Sequence, residues 1–180
     1  RLLEGGPAAL DSLLAAPETR VDEANAQGET PLMIAAFHGR EQLALMLLDY
    51  GADIFAKDRG AYTPLHWAAF SGYPLVVKLL LDRGGPANVL SNVGISPLLQ
   101  AAARGHLAVV SLLLDKQANP NLNASDGSSP LLKAVANGHL AVIQLLLNSG
   151  AYRRVTLQDG TTLDDIVAKA KDPRIRAIFG

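Results

Sequence analysis

Four histidines, His38, His66, His106 and His139, are the side chains in this sequence best suited to proton transfer or metal ligation. Imidazole titrates near neutrality and binds transition metals through its neutral ring, so a convergent pair or triple would point to a reaction centre. Their placement argues otherwise. His106 and His139 each follow a glycine at the same point of a 33-residue frame, and His66 holds another column of that frame. A repeat sets these positions, which makes a catalytic or metal-binding reading poor. Only His38 lies off those columns, and it reads as a surface residue. Asp164 and Asp165 are adjacent, and helix neighbours do not face one another, so they read as solvated cap residues rather than a carboxylate dyad. There is no His-Glu-x-x-His, no Walker loop and no Gly-x-Ser-x-Gly elbow. Cysteine is absent, which removes disulfides, thiolate nucleophiles, Cys-ligated zinc and iron–sulfur clusters together. The sequence predicts no enzyme, no cofactor and no metal site.

The repeat that places the histidines also dictates the elements. Thr30-Pro31-Leu32 recurs as Thr63-Pro64-Leu65, Ser96-Pro97-Leu98 and Ser129-Pro130-Leu131, each 33 residues on without a gap. Two small residues follow in phase (Ala35-Ala36, Ala68-Ala69, Ala101-Ala102, Ala134-Val135), then a glycine at 39, 72, 105 and 138. An apolar stripe comes next at Leu43, Leu47 and Leu48, repeated as Val76, Leu80 and Leu81, as Val109, Leu113 and Leu114, and as Val142, Leu146 and Leu147.

Each part has a physical reading. Thr or Ser before Pro supplies an N-cap oxygen, and Pro suits the first helical position, where its missing N–H has no partner to lose. The glycine stands where a left-handed residue ends the short helix. The stripe places one apolar face on a second helix, which Gly51, Gly84 and Gly150 end. A polar, turn-rich stretch such as residues 52–58 connects to the next unit. One such unit cannot bury its own apolar face, so neighbours must stack.

Thr63-Pro64-Leu65-His66-Trp67-Ala68-Ala69 resembles the ankyrin signature T-P-L-H-x-A at the ankyrin period of 33. Gly105-His106-Leu107-Ala108-Val109-Val110 and Gly138-His139-Leu140-Ala141-Val142-Ile143 are similar to the start of that family's second helix, and Gly51-Ala52-Asp53-Ile54 to its terminating turn. The resemblance implies an all-α ankyrin solenoid of stacked helix-turn-helix units with β-hairpin-like connectors. It covers residues 26–58, 59–91, 92–124 and 125–157 as full repeats within a single domain, 1–180. Residues 1–25 read as a degenerate capping repeat carrying Leu10, Leu13 and Leu14. Residues 158–180 read as the other cap, with Thr162–Lys169 and Pro173–Phe179 replacing the two helices. Ile175, Ile178 and Phe179 continue its stripe, and its outer face is charged at Asp164, Asp165, Lys169, Lys171, Arg174 and Arg176.

Four departures carry expectations of their own. Ala61 stands in the column of Gly28, Gly94, Gly127 and Gly160, and Gly60 is expected to take over that turn. Gln117 replaces the glycine after a second helix, where left-handed geometry costs about 1 kcal/mol. Tyr152-Arg153-Arg154 predicts a differently shaped fourth connector. Leu163-Asp164 in place of Pro-Leu predicts a disturbed first turn in the fifth unit.

Composition bounds the function. Sixteen Lys and Arg against seventeen Asp and Glu give a net charge of −1 over 180 residues, which offers no bulk attraction to nucleic acid or an anionic membrane. Charge is segregated: residues 1–58 carry four basic and ten acidic side chains, and residues 59–180 carry twelve and seven. Hydrophobic residues make up 49 % but aromatics only 5 %, so the core must be aliphatic. The longest apolar runs, such as Leu107–Leu114, are far too short to span a bilayer. A chain opening at Arg1, with neither Met nor a signal-peptide layout, reads as a processed or excised piece. An intracellular location, cytoplasmic or nuclear, is expected over secretion, and the chain by itself is expected to be monomeric.

What is left is a surface. The resemblance implies that first-helix positions and connector tips line a concave binding groove, and helical spacing puts residues three and four apart on one face. That face presents Ile34, Phe37 and His38, then Trp67, Phe70 and Ser71, then Gln100, Ala103 and Arg104, then Lys133, Ala136 and Asn137. The tips add Gln27, Glu29, Arg59, Tyr62, Asn92, Ile95, Asp126 and Ser128. Phe37, Tyr62, Trp67 and Phe70 predict an aromatic anchor patch, although Trp67 also suits packing between adjacent first helices. Arg104 and Lys133 predict a basic continuation. The expected function is binding of a protein or peptide partner through Phe37, Tyr62, Trp67, Phe70, Ser71, Ile95, Gln100, Arg104, Lys133 and Asn137, without nucleic acid or membrane insertion. The alternative is a targeting or regulatory module of a larger enzyme.

Overall fold

The computed structural model describes residues 20–180, so the capping segment expected over Leu10, Leu13 and Leu14 lies outside the described residues. Two compact units are present, Arg1–Pro86 and Ala87–Gly180. In the first, the helices are α1 (Pro31–Phe37), α2 (Glu41–Asp49), α3 (Pro64–Ser71) and α4 (Pro74–Asp82). The second holds α5 (Pro97–Arg104), α6 (Leu107–Asp115), α7 (Pro130–Ala136), α8 (Leu140–Asn148), α9 (Leu163–Ala168) and α10 (Pro173–Phe179).

The caps do what the residue types dictate. The hydroxyls of Thr30, Ser96 and Ser129 accept from the N–H groups of Met33, Leu99 and Leu132, at 3.4, 3.1 and 3.1 Å. Thr63 differs, because its own N–H donates to His66 Nδ1 at 3.1 Å and its hydroxyl lies 3.0 Å from the same nitrogen. An accepting Nδ1 places the neutral ring's hydrogen on Nε2. His66 is fully buried. It is a helix-starting brace, which accounts for its place in the repeat.

Packing within each unit follows the two-helix plan. α1 lies against α3, and α2 against α4; in the second unit α5, α7 and α9 follow one another, and α6 packs on α8. Ala35, Ala36, Ala68 and Ala69 are fully buried, as are Ala101, Ala102 and Ala134, so the small pair lets first helices approach closely. Leu32, Leu47, Leu65 and Leu80 fill the first core, and Leu98, Leu113, Leu131, Ile143 and Leu146 the second, all at 0 % exposure.

The connectors are turns rather than strands; among the described residues the sole β feature is an isolated bridge between Thr156 and Thr162. Their tips are laddered by backbone bonds, Arg59 N–H to Gln27 O (3.1 Å) in the first unit, and Ser125 N–H to Val93 O (2.9 Å) and Gln158 N–H to Asp126 O (3.0 Å) in the second.

Two expectations about departures need correction. Gly60 does not take over the turn at Ala61: Ala61 itself adopts φ 60°. Gly60 is needed for space, because a Cβ there would sit 2.8 Å from the Tyr62 ring. The first turn of the fifth unit is also intact. Thr162 accepts from Asp165 N–H at 3.2 Å, and Asp165 accepts in return from Thr162 N–H at 2.9 Å, a reciprocal cap that does without proline. Gln117 keeps left-handed geometry, φ 61°, and its carbonyl accepts from Asn88 Nδ2 at 3.0 Å. The connector at Arg153 is bent and differently held, with its guanidinium 5.5 Å from the Phe179 ring centroid.

Candidate functional site

The first unit gathers four of its seven aromatic side chains, Phe37, Tyr62, Trp67 and Phe70, on one surface. α1 ends at Phe37, and α3 carries Trp67 and Phe70 one turn apart, so stacking the two first helices brings the three rings together. Phe37 meets Trp67 edge to face (centroids 5.6 Å, 85°) and stacks on Phe70 (6.2 Å, 22°). Tyr62, from the connector that precedes α3, lies 5.9 Å from Trp67 and 5.3 Å from His66.

Trp67 is fixed as well as presented. Its indole Nε1–H donates to Asp58 Oδ2 at 3.1 Å, while Asp58 Oδ1 accepts from the N–H groups of Gly60 (2.8 Å) and Tyr62 (2.9 Å). One carboxylate therefore shapes the tip and aims the indole. The sequence reading missed this role of Asp58, although Asp58-Arg59-Gly60 carries the signal of an aspartate-closed turn. Trp67, Phe70, Tyr62 and Ser71 are half-buried, and Phe37 remains 38 % exposed. Both alternatives for Trp67 hold at once: it packs between first helices and leaves part of its ring accessible.

Beside these rings is a cleft of about 450 Å³ lined by Glu29, Met33, Ile34, Phe37, His38 and Trp67. Met33 backs this cleft from the core, at 1 % exposure. Glu29 is half-buried, with its carboxylate oxygen Oε2 accepting from Asn25 Nδ2 at 2.7 Å.

The second unit presents a polar surface. Ile95 is half-buried in its turn, where its N–H donates to Ser91 Oγ at 3.1 Å. Gln100 on α5 is half-buried, and its Oε1 accepts no hydrogen bond among the described residues. Arg104 ends α5 in an exposed position. Asn137 caps α7 and donates through Nδ2 to Ala103 O at 2.7 Å, which ties consecutive first helices together. Lys133 is not a lone cation: its Nζ lies 3.5 Å from Asp126 Oδ2. Asp126 is held below the ordinary carboxylate range, chiefly by the hydrogen bond from the Ser128 hydroxyl, with its N–H and the Lys133 charge adding to it. Basic character on this face is therefore smaller than the residue types alone suggest.

No group of three or more His, Asp or Glu side chains is placed to hold a metal among the described residues. Nor is any described helix long and apolar enough to cross a membrane. A family model described as ankyrin repeats (3 copies) matches residues 3–89 and 65–159. No curated protein is similar enough to the chain to count as a match.

Proposed function

The chain belongs to the ankyrin-repeat family, whose repeats are generally protein–protein interaction modules and typically non-enzymatic, and on that premise we propose that it binds a protein or peptide partner through its first-helix face and connector tips. In the first unit the contact residues are Phe37, Tyr62, Trp67, Phe70 and Ser71; in the second they are Ile95, Gln100, Arg104, Lys133 and Asn137. Aromatic residues in the first unit take apolar parts of the partner, and the basic residues of the second take acidic ones. Each unit acts by presenting a preformed surface, so little ordering entropy is lost on association, and the chain carries out no reaction.

One observation carries this reading. Packing of α1 on α3 buries its alanines completely, yet leaves Phe37 at 38 % exposure beside an open cleft. Interface hot spots favour such partly exposed, well-supported aromatics. The test is selection of peptides on the folded chain from a displayed library, followed by rebinding to Phe37→Ala and Gln144→Ala variants of unchanged melting behaviour. Gln144 is exposed on the second helix α8. Loss of binding with Phe37→Ala and retention with Gln144→Ala supports the reading, and the reverse pattern removes it.

A further inference from the structure

The cleft in the first unit combines features that an apolar anchor would not require. Its two large rings, Phe37 and Trp67, stand at 85° to one another and form a corner rather than a flat wall. Ile34 adds aliphatic surface, and Met33, 1 % exposed, backs the cleft from the core. The remaining wall includes a carboxylate, Glu29, half-buried and steadied by Asn25. Ring faces carry negative potential, and a cation placed over them is attracted more strongly as it becomes less hydrated. A carboxylate at the same wall favours the same charge. The charge balance of the described part of this segment agrees, with seven acidic and three basic side chains in residues 20–58.

We propose that this cleft takes the methylated ammonium tip of a lysine side chain in the partner. The inference rests on the reading of this surface as a contact site, and it names the chemistry of one contact. A bare lysine ammonium brings three N–H donors and a firmly held hydration shell, whereas the cleft wall offers one carboxylate already engaged through Oε2. Replacing N–H by N–CH3 removes that demand and supplies methyl groups that fit against Ile34 and the two ring faces. Arginine brings five donors to the same single carboxylate and is matched less well.

Trp67 is the only tryptophan in the sequence, so its emission and its indole Nε1–H resonance report on this cleft alone. The probes are N-acetyl-Nε,Nε,Nε-trimethyllysine amide, its neutral all-carbon isostere, and the unmethylated lysine and arginine amides, titrated into the whole chain. The trimethylated compound is expected to shift the Trp67 signals saturably and to bind at least about fivefold more tightly than the neutral isostere and the unmethylated lysine. Glu29→Gln keeps an acceptor for Asn25 and removes the charge; it is expected to weaken the trimethylated compound several-fold and leave the isostere unchanged. Equal binding of isostere and cation, tighter binding of arginine, or no Trp67 response from the folded chain overturns the proposal. Peptides selected without any methylated lysine that still depend on Phe37 preserve the protein-binding function while the cation assignment is tested separately by these compounds.

Discussion

Phe55 stands where three other described connectors carry a carboxylate or amide, Asp22, Asn88 and Asn121, and Pro86 stands where they offer the N–H that such a side chain holds. Asp22 accepts from Asp53 N–H (2.9 Å), Asn88 from Asn119 N–H (2.7 Å) and Asn121 from Tyr152 N–H (2.8 Å), each reaching 31 residues ahead. Asn88 and Asn121 also donate to the carbonyls of Gln117 and Gly150, both at 3.0 Å. At 55 and 86 both halves of the device are gone, and Phe55 is left 57 % exposed. The loss is paired: without the Pro86 N–H, an asparagine at 55 would have only one of its two bonds to make.

That relationship predicts non-additivity. Phe55→Asn alone changes stability little, and Pro86→Ala alone lowers it slightly through unfolded-chain entropy. Together they install the missing bonds, and a double-mutant cycle by urea melts yields a favourable coupling of about 0.5–1.5 kcal/mol. A coupling of zero would show that the seam does not use these bonds.

Asp58 is the second test. Asp58→Ala removes three accepted hydrogen bonds from one half-buried carboxylate and is expected to cost about 2 kcal/mol. The emission of Trp67 should change with it, because the indole loses its acceptor. An unchanged spectrum would mean that Trp67 is held by ring packing alone.

Gly105 and Gly138 separate backbone strain from crowding. Both are left-handed, at φ 77° and 78°. A Cβ at Gly105 would lie 2.5 Å from His139 Nδ1, whereas nothing lies within 4 Å of one at Gly138. Gly138→Ala therefore costs only the backbone term, about 1–2 kcal/mol, and Gly105→Ala costs more. Adding His139→Ala to Gly105→Ala should recover part of the excess, whereas it should do nothing for Gly138→Ala.

Core and cap differ in the same way. Leu80→Ala and Leu113→Ala, at fully buried stripe positions, should each cost about 2–5 kcal/mol. Ile178 is half-buried in α10, so its truncation should cost less. Urea melts that ranked Ile178→Ala as the most damaging of the three would overturn this register.

Asp126 ties stability to acid. Its carboxyl is held below the ordinary 3.8 by the Ser128 hydroxyl first, so the stabilisation is present above that value and is lost as pH falls through the lower folded value. Ser128→Ala should raise the Asp126 titration midpoint toward 3.8 and flatten the acid limb of the stability profile. Carbon-detected NMR of the Asp126 carboxyl measures this directly.

The fold was legible because its signals are local and repeated. Thr/Ser-Pro caps, the alanine pair and the closing glycine each act within one unit, and four registers in phase leave little ambiguity. Where two readings met at one residue, the sequence could not decide. Ala61 and Gly60 both suited the turn, and only the placement of the Tyr62 ring shows why the glycine is the one kept for space. Likewise the aromatic column was visible, but Asp58 as the acceptor for Trp67 depends on how far a connector tip folds back over α3. Lys133 read with Arg104 as a basic continuation, because Asp126 lies in a loop whose approach to Lys133 has no periodicity to reveal it.

The central claim is that partner binding uses the first-helix face. It is tested most directly by alanine scanning with a peptide selected on the intact chain, reading affinity and association rate. Phe37→Ala and Phe70→Ala should each cost about 2 kcal/mol or more, the scale of an interface hot spot. Arg104→Ala and Lys133→Ala should cost less and chiefly slow association and weaken its salt dependence. Gln144→Ala should bind as the parent does. Affinity lost in Gln144→Ala, with Phe37→Ala and Phe70→Ala retaining it, would contradict the account.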